Sequence, residues 1–437
     1  MSESFEVLVT DCQVRAGLAV ARSLARRGVR VLGLCSEPGS PAFYSRILTT
    51  VLRSPSAIHE PEAFVQFTLQ TIRKFRIQLA IPITDQAVLL FDQHRAGLES
   101  LTRVAMASAS ALRSALDKRI NLDLAVKVGV PCAKQFELTS LRQIPEMIDV
   151  LGFPIVLKRP GDPVDKTLPA FSFRVLYAHN EEQLRGYVAE HCAHGQYPLF
   201  QEMATGEIHN VCCFAAQGEV LAAHEYQSIR RLEGAGVFRK IIEPSPDLLR
   251  HARSLLGALR WDGAAHLGFF VDKKRDRVWY METNSRFWAS IQGSVHAGWD
   301  FPYWVYQYFL HGQRPNPGPI EVGSLTCWHL GDLIALLNFW RGGEIPATGT
   351  TPTPAQATLQ YLSGFAPNVH SDVFAWDDPV PAVVEYWKIR KRLFGMVQKK
   401  FAAVPAAARK RRSTLLNAGL EVVELNTSKQ DEASAVK

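Results

Sequence analysis

Ala265-His266-Leu267-Gly268-Phe269-Phe270-Val271-Asp272 and Val278-Trp279-Tyr280-Met281-Glu282-Thr283-Asn284 flank the charged turn Lys273-Lys274-Arg275-Asp276-Arg277. Two apolar, aromatic-rich runs around a polar turn predict an antiparallel hairpin. Strand side chains alternate between faces, so Glu282 and Asn284 stand on one face, about 7 Å apart along the strand. Arg286 follows two residues on. A carboxylate and an amide oxygen at this spacing suit a hard cation such as Mg2+, which takes few protein ligands and keeps water and substrate phosphates. A guanidinium beside them suits neutralisation of a phosphoryl group.

Upstream of the hairpin the chain changes character twice. Residues 5–10 read as a strand, Ala16 to Arg27 as a helix stopped by Gly28, residues 29–34 and 79–83 as further strands, and residues 104–107 as another. That alternation predicts a doubly wound α/β domain. Asp11 to Gly17 supplies one glycine where a dinucleotide fingerprint needs three, which argues against a nicotinamide or flavin site. Asp117-Lys118 then opens a helix through Val128, and Gly152-Phe153-Pro154-Ile155-Val156-Leu157 is a strand delivering Lys158 at its end. Strands follow at 173–177, 199–203, 210–215 and 219–223, with a helix from Pro246 to Leu259, so the middle of the chain reads as α+β.

The 437 residues are too many for a single core and predict two or three domains. No run of 18 or more uncharged apolar residues occurs, and the amino terminus lacks a basic, apolar leader, so the expectation is a soluble cytoplasmic protein. Seven cysteines form no CxxC pair, and Cys212 and Cys213 must point to opposite faces of a strand; reduced thiols fit better than structural zinc. The net charge of +7 is uneven: Lys388 to Arg412 holds ten Lys or Arg and no acid, which leaves −3 for the remainder. No HExxH and no nucleophile elbow supports a hydrolase.

Met281-Glu282-Thr283-Asn284-Ser285-Arg286 resembles the ExNxR signature of the ATP-grasp superfamily, in the version found in carbamoyl-phosphate synthase and D-aspartate ligase relatives. Asp117-Lys118, Lys158 and Gln201-Glu202-Met203-Ala204-Thr205-Gly206-Glu207 stand upstream in that family's order, and the resemblance spans roughly residues 5–310. It implies a Rossmann-like domain over 1–115, a small lobe over 116–195, a large lobe with the metal site over 196–320, and a helical C-terminal extension with a basic helix over 321–437. It further implies a carboxylate–amine ligase working through an acyl phosphate, with ATP and Mg2+ (Mn2+ as an alternative) and small-molecule carboxylate and amine substrates. Carried over residue by residue, Lys118 and Lys158 contact phosphates, Glu202 and the Met203 backbone the adenine edge, and Glu207 the ribose. Glu282 and Asn284 hold the metal, and Arg286 acts on the phosphoryl group. Arg231 contacts phosphate or carboxylate, with Arg230 its competitor.

Three features depart from that pattern or fall outside it. Gly268 stands where relatives carry a Glu or Gln ligand, and His266, on the same face, is a poor oxygen substitute. The segment Thr167 to Arg174 lacks the glycines of a phosphate loop. Together with the basic tail, these two favour, as the rival reading, a nucleotide-binding pseudoenzyme that acts as a regulatory or membrane-surface scaffold. The basic stretch 386–412 reads either as a helix packed on the body with a solvated face or as a peripheral contact with anionic membrane, and no nucleic-acid fold accompanies it. Asp85, after Pro82-Ile83-Thr84, reads as a helix cap, and Trp288, Trp299, Tyr303 and Trp304 as packing at the lobe junction. Oligomeric state has no signature in the sequence.

Overall fold

Three sheets organise the chain. The computed structural model describes residues 4–159, 173, 175–192, 196–232, 235–341 and 352–390. The first sheet comprises β1 (Val7–Val9), β2 (Val31–Cys35), β3 (Thr50–Arg53), β4 (Leu79–Ile81) and β5 (Arg103–Val104), all parallel, in the order β3-β2-β1-β4-β5. β1, β2 and β4 are wholly apolar and buried, as strands covered on both faces must be. The helix Arg15–Arg26 starts hard against the loop after β1: a Cβ on Gly17 would lie 2.5 Å from the Asp11 carbonyl oxygen. Gly17, the single glycine of the Asp11–Gly17 segment, is therefore a packing glycine. Strand order reverses between β1 and β4, which opens a crevice at their carboxyl ends.

The second sheet is small and antiparallel: β6 (Gln135–Phe136), β7 (Ile155–Lys158), β8 (Val175–Ala178) and β9 (Leu199–Glu202), in the order β6-β9-β7-β8. Its apolar face closes on the helices Ile144–Leu151 and Glu181–His191 through Ile155, Leu157, Phe200, Met147 and Leu184, a core separate from the rest.

The third sheet carries seven strands: β10 (Glu207–Ala216), β11 (Glu219–Leu232), β12 (Ala235–Ile242), β13 (Gly263–Asp272), β14 (Arg277–Asn284), β15 (Leu325–Cys327) and β16 (Val369–Ser371), ordered β14-β13-β10-β11-β12-β15-β16. Cys212 and Cys213 do face opposite cores. β11 extends nine residues beyond the Ala223 end expected from sequence, because its polar residues are paired inside the fold: His224 with Ser294, Glu225 with His209, and Arg230 with Asp332. Beyond residue 320 the expected helix appears as His329–Trp340, and β15 and β16 extend the large sheet where no strand was anticipated.

The segment 372–378 returns to the first domain and is held by arginines. Arg22 Nε donates to Asp378 at 2.9 Å, and its other nitrogens donate to the carbonyls of Val373 and Asp378. Arg15 and Arg239 both bind Asp372 at 2.5 Å, and Arg26 pairs with Asp377 at 2.8 Å. Packing separates Met1–Glu385 from Tyr386–Lys437. Of the latter, residues 386–390 are helical, with the Arg390 guanidinium 3.7 Å from the centroid of the Trp387 ring. The expected phosphate loop (167–172 and 174) and the rest of the basic stretch from 391 lie outside the described residues. Among the described residues, no helix is long and apolar enough to cross a membrane.

The Arg22–Asp378 pair is wholly buried, whereas Arg26–Asp377 is largely exposed. Removing one partner of a buried pair strands the other charge at a cost of about 3–5 kcal/mol, against under about 1 kcal/mol at an exposed pair. Asp378→Ala is therefore expected to destabilise far more than Asp377→Ala in urea unfolding. Equal midpoints for the two variants would contradict this account of the clamp.

Candidate functional site

The site is built where β14 meets three other elements. The ladder pairs Gly268 with Glu282 and His266 with Asn284, and its register shifts between Gly268 and Phe269, so that Phe269 faces Tyr280 and Met281 bulges out. Glu282 and Asn284 thus share a face, as strand alternation required. Gly268 lies opposite Glu282. A Cβ there would meet only Met281 and Glu282 side-chain atoms at 3.6–3.9 Å, ordinary contact distances.

Lys118 arrives on a docked helix. Asp117 caps the helix Lys118–Lys127 by accepting from the backbone of Arg119 and Ile120, and Asn121, one turn in, accepts from the Tyr280 hydroxyl of β14. Lys158 comes at the end of β7, the strand between β8 and β9. Lys118 lies close enough to Lys158 and Glu282 to act on the ionisation of both. Burial brings the Lys158 ammonium down to about 8, with Lys118 pushing the same way and Glu282 opposing. Burial alone raises the Glu282 carboxyl, but Lys118, the Asn284 amide, His266 and Arg286 together hold it below the usual carboxylate range. Burial takes His266 down to about 4, so its imidazole is neutral near pH 7.

Arg286 leaves the end of β14 and donates to Asp85 at 2.9 Å and to the Phe287 carbonyl at 3.1 Å. This corrects the reading of Asp85 as a cap: Thr84 caps the helix Asp85–Gln93, and Asp85, in its first turn, holds Arg286. Thr84 also donates to Asp11 at 3.2 Å, so the crevice between β1 and β4 connects to the arginine through two adjacent residues. No local sequence pattern announces a partner 201 positions away.

The remaining expected residues form a second group. Glu202 ends β9, its carboxylate accepting from the Lys134 backbone at 2.9 Å, and Met203 follows it exposed. Gly206, at φ 128°, lets the chain cross β13 so closely that a Cβ would sit 2.5 Å from the Val271 carbonyl oxygen. Glu207 then starts β10 and binds Gln227 at 2.6 Å, with Lys273 at 3.5 Å. Arg230 is engaged by Asp332 and stacks over Phe238 at 4.2 Å, while Arg231 lies near Tyr177 of β8. The structure thus brings Lys118, Lys158, Glu282, Asn284 and Arg286 together, and sets Glu202, Met203 and Glu207 at the link from β9 to β10. Trp288, Trp299, Tyr303 and Trp304 pack in or against one core. His266 stacks on Trp288, with ring centroids 5.7 Å apart.

The donor set fits a magnesium-bound nucleotide: one ionised carboxylate and one amide, both hard-oxygen donors, with two ammonium groups and a guanidinium around them. Among the described residues no group of three or more His, Cys, Asp or Glu could hold a metal ion, so most of the metal's shell would come from phosphate and water.

A parallel-sheet domain, a small antiparallel sheet and a large sheet in this order make up an ATP-grasp fold. No family model and no curated protein sequence matches the chain. Solved structures do. The biotin carboxylase domain of Hydrogenobacter thermophilus 2-oxoglutarate carboxylase, in complex with MgADP and bicarbonate, superposes with a TM-score of 0.57 at 14% identity over 74% of either chain. N5-carboxyaminoimidazole synthetase from Staphylococcus aureus gives 0.59 at 12% identity over 83% of this chain and 97% of that one. L-amino acid ligase from Bacillus licheniformis gives 0.55 at 14%, over 71% and 75%.

The lowered Lys158 yields a pH prediction. Its proton is lost as pH rises through about 8, while an unfolded lysine keeps it to about 10.4. Stability therefore rises across that interval, and attraction for phosphate falls. Nucleotide affinity by calorimetry is expected to drop by up to about tenfold per pH unit above 8 in the wild type. In Lys158→Arg, whose guanidinium stays charged, it should stay flat. A flat wild-type profile would remove Lys158 from the phosphate site.

Proposed function

We propose that this protein is an ATP-dependent carboxylate–amine ligase. The observation that carries this reading is the convergence of Lys118, Lys158, Glu282, Asn284 and Arg286 on one site of an ATP-grasp fold. A substrate carboxylate oxygen attacks the γ-phosphorus of ATP and ADP leaves; the amine then attacks the acyl carbon, phosphate leaves, and the nitrogen loses a proton to give the amide. No covalent enzyme intermediate is needed, so the protein contributes position and charge.

Lys118 and Lys158 orient the triphosphate as point charges. Glu202 and the Met203 backbone meet the adenine edge, and Glu207 accepts from the ribose hydroxyls. Glu282 and Asn284 would hold Mg2+, which when bound supplies charge neutralisation at the phosphate oxygens. Arg286, steadied by Asp85, faces the charge that develops on the transferring group. Arg231, near Tyr177 of the small lobe, is assigned to substrate phosphate or carboxylate.

One observation favours the second reading, a binding-only scaffold: the position opposite Glu282 is a glycine. The test combines protein, ATP and Mg2+ with pools of carboxylates and amines and measures ADP. The ligase reading expects release that requires both pools and falls at least about 100-fold in Glu282→Ala. Nucleotide binding without turnover over broad pools, or turnover gained only in Gly268→Glu, would establish the scaffold instead.

A further inference from the structure

We propose that His266 is a positioning residue: it takes the Asn284 amide hydrogen on Nδ1 and so turns the Asn284 carbonyl oxygen outward as a cation donor. The role rests on the nucleotide site proposed above, while the tautomer it requires can be measured independently.

Asparagine offers two nearly isosteric ends, one a donor and one an acceptor, and packing alone hardly distinguishes them. Here the neighbours decide. The amide nitrogen of Asn284 lies 3.3 Å from Glu282 Oε1 and 3.0 Å from His266 Nδ1. An ionised carboxylate can only accept, so the atom between these groups must be nitrogen, and its two hydrogens match two acceptors. His266 Nδ1 is then unprotonated, and a neutral imidazole carries its hydrogen on Nε2. That nitrogen donates to the Tyr226 hydroxyl at 2.9 Å, and Tyr226 in turn bonds Ser290. The ring cannot readily rotate: it is 8% exposed, with the Tyr226 and Trp288 ring centroids at 5.9 and 5.7 Å. The ladder that sets His266 opposite Asn284 supplies the pairing directly.

The relay Ser290, Tyr226, His266, Asn284 therefore fixes a tautomer at one end and an amide orientation at the other. With no acceptor at 266, only the longer 3.3 Å contact to Glu282 holds the Asn284 amide, which then flips more readily and presents hydrogens to the cation.

Two measurements test this. In the full-length, ligand-free protein near pH 7, histidine ring 15N shifts should show His266 protonated on Nε2 and bare on Nδ1, with the signal assigned by its loss in His266→Leu. A proton on Nδ1 overturns the proposal. Titration with ATP, with and without Mg2+, should show His266→Leu losing about 10- to 100-fold of the magnesium-dependent affinity. Magnesium-free binding should be kept, and His266→Gln, which retains an acceptor, should recover much of the loss. Equal loss with and without Mg2+ marks a merely structural role and overturns the proposal. If His266→Leu does not fold, Tyr226→Phe, which removes only the oxygen accepting from Nε2, should show the same magnesium-selective loss in smaller measure and serves for assignment. A wild type that binds no ATP removes the proposed function and the donor role with it. The tautomer would then stand as a separate result, so the two failures are distinguishable.

Discussion

The register of the β13–β14 ladder is the constraint on which the site depends. Because the side-chain period of a strand is two, a one-residue slip would carry Glu282 and Asn284 to the other face, away from Lys118. The bulge at Met281 and the pinning of Tyr280 lock the register: the Tyr280 backbone nitrogen binds the Pro131 carbonyl at 2.7 Å, and its hydroxyl reaches Asn121 and Thr283. The same tyrosine docks the helix that bears Lys118. One side chain therefore sets both the height of the carboxylate and the approach of its cation.

Around that ladder the electrostatics are unbalanced in a specific direction. Lys158 is partly desolvated and pushed further by Lys118, with Glu282 as the opposing carboxylate. Desolvated like charges destabilise the empty site. An anion with several oxygens would relieve that repulsion, so under the proposed function part of the affinity for ATP would come from removing a cost already present in the fold. Arg286 is balanced differently, since Asp85 reaches it across the boundary between the parallel sheet and the large sheet.

The parts of this arrangement that lie close in sequence were legible there. Glu282, Asn284 and Arg286 are spaced by strand alternation, Lys158 closes an apolar strand, and Asp117-Lys118 is a capped helix start; each needs only local geometry. The opposition of Gly268 and Glu282 was not fixed by the turn, whose register leads to Gly268 opposite Met281 until the bulge at Met281 brings Glu282 there. The long reach of β11 was hidden, since His224, Glu225, Gln227, Ser228 and Arg230 look solvated until their partners are known. Asp85 was misread for the same reason: its partner is supplied by tertiary structure alone. Tyr226 behind His266 and the strands β15 and β16 belong to this class too, being too short or too remote for periodicity to register.

The clamp of arginines on residues 372–378 has a consequence for how the chain is made. Arg22 and Asp378 are 356 positions apart, yet each is the other's counter-ion in a dry interior. During synthesis the amino-terminal helix emerges long before the segment that neutralises it. Contacts of such separation form late and slowly. The first domain thus waits, with charges meant for burial still hydrated, until the segment 372–378 has been made and can fold back onto it.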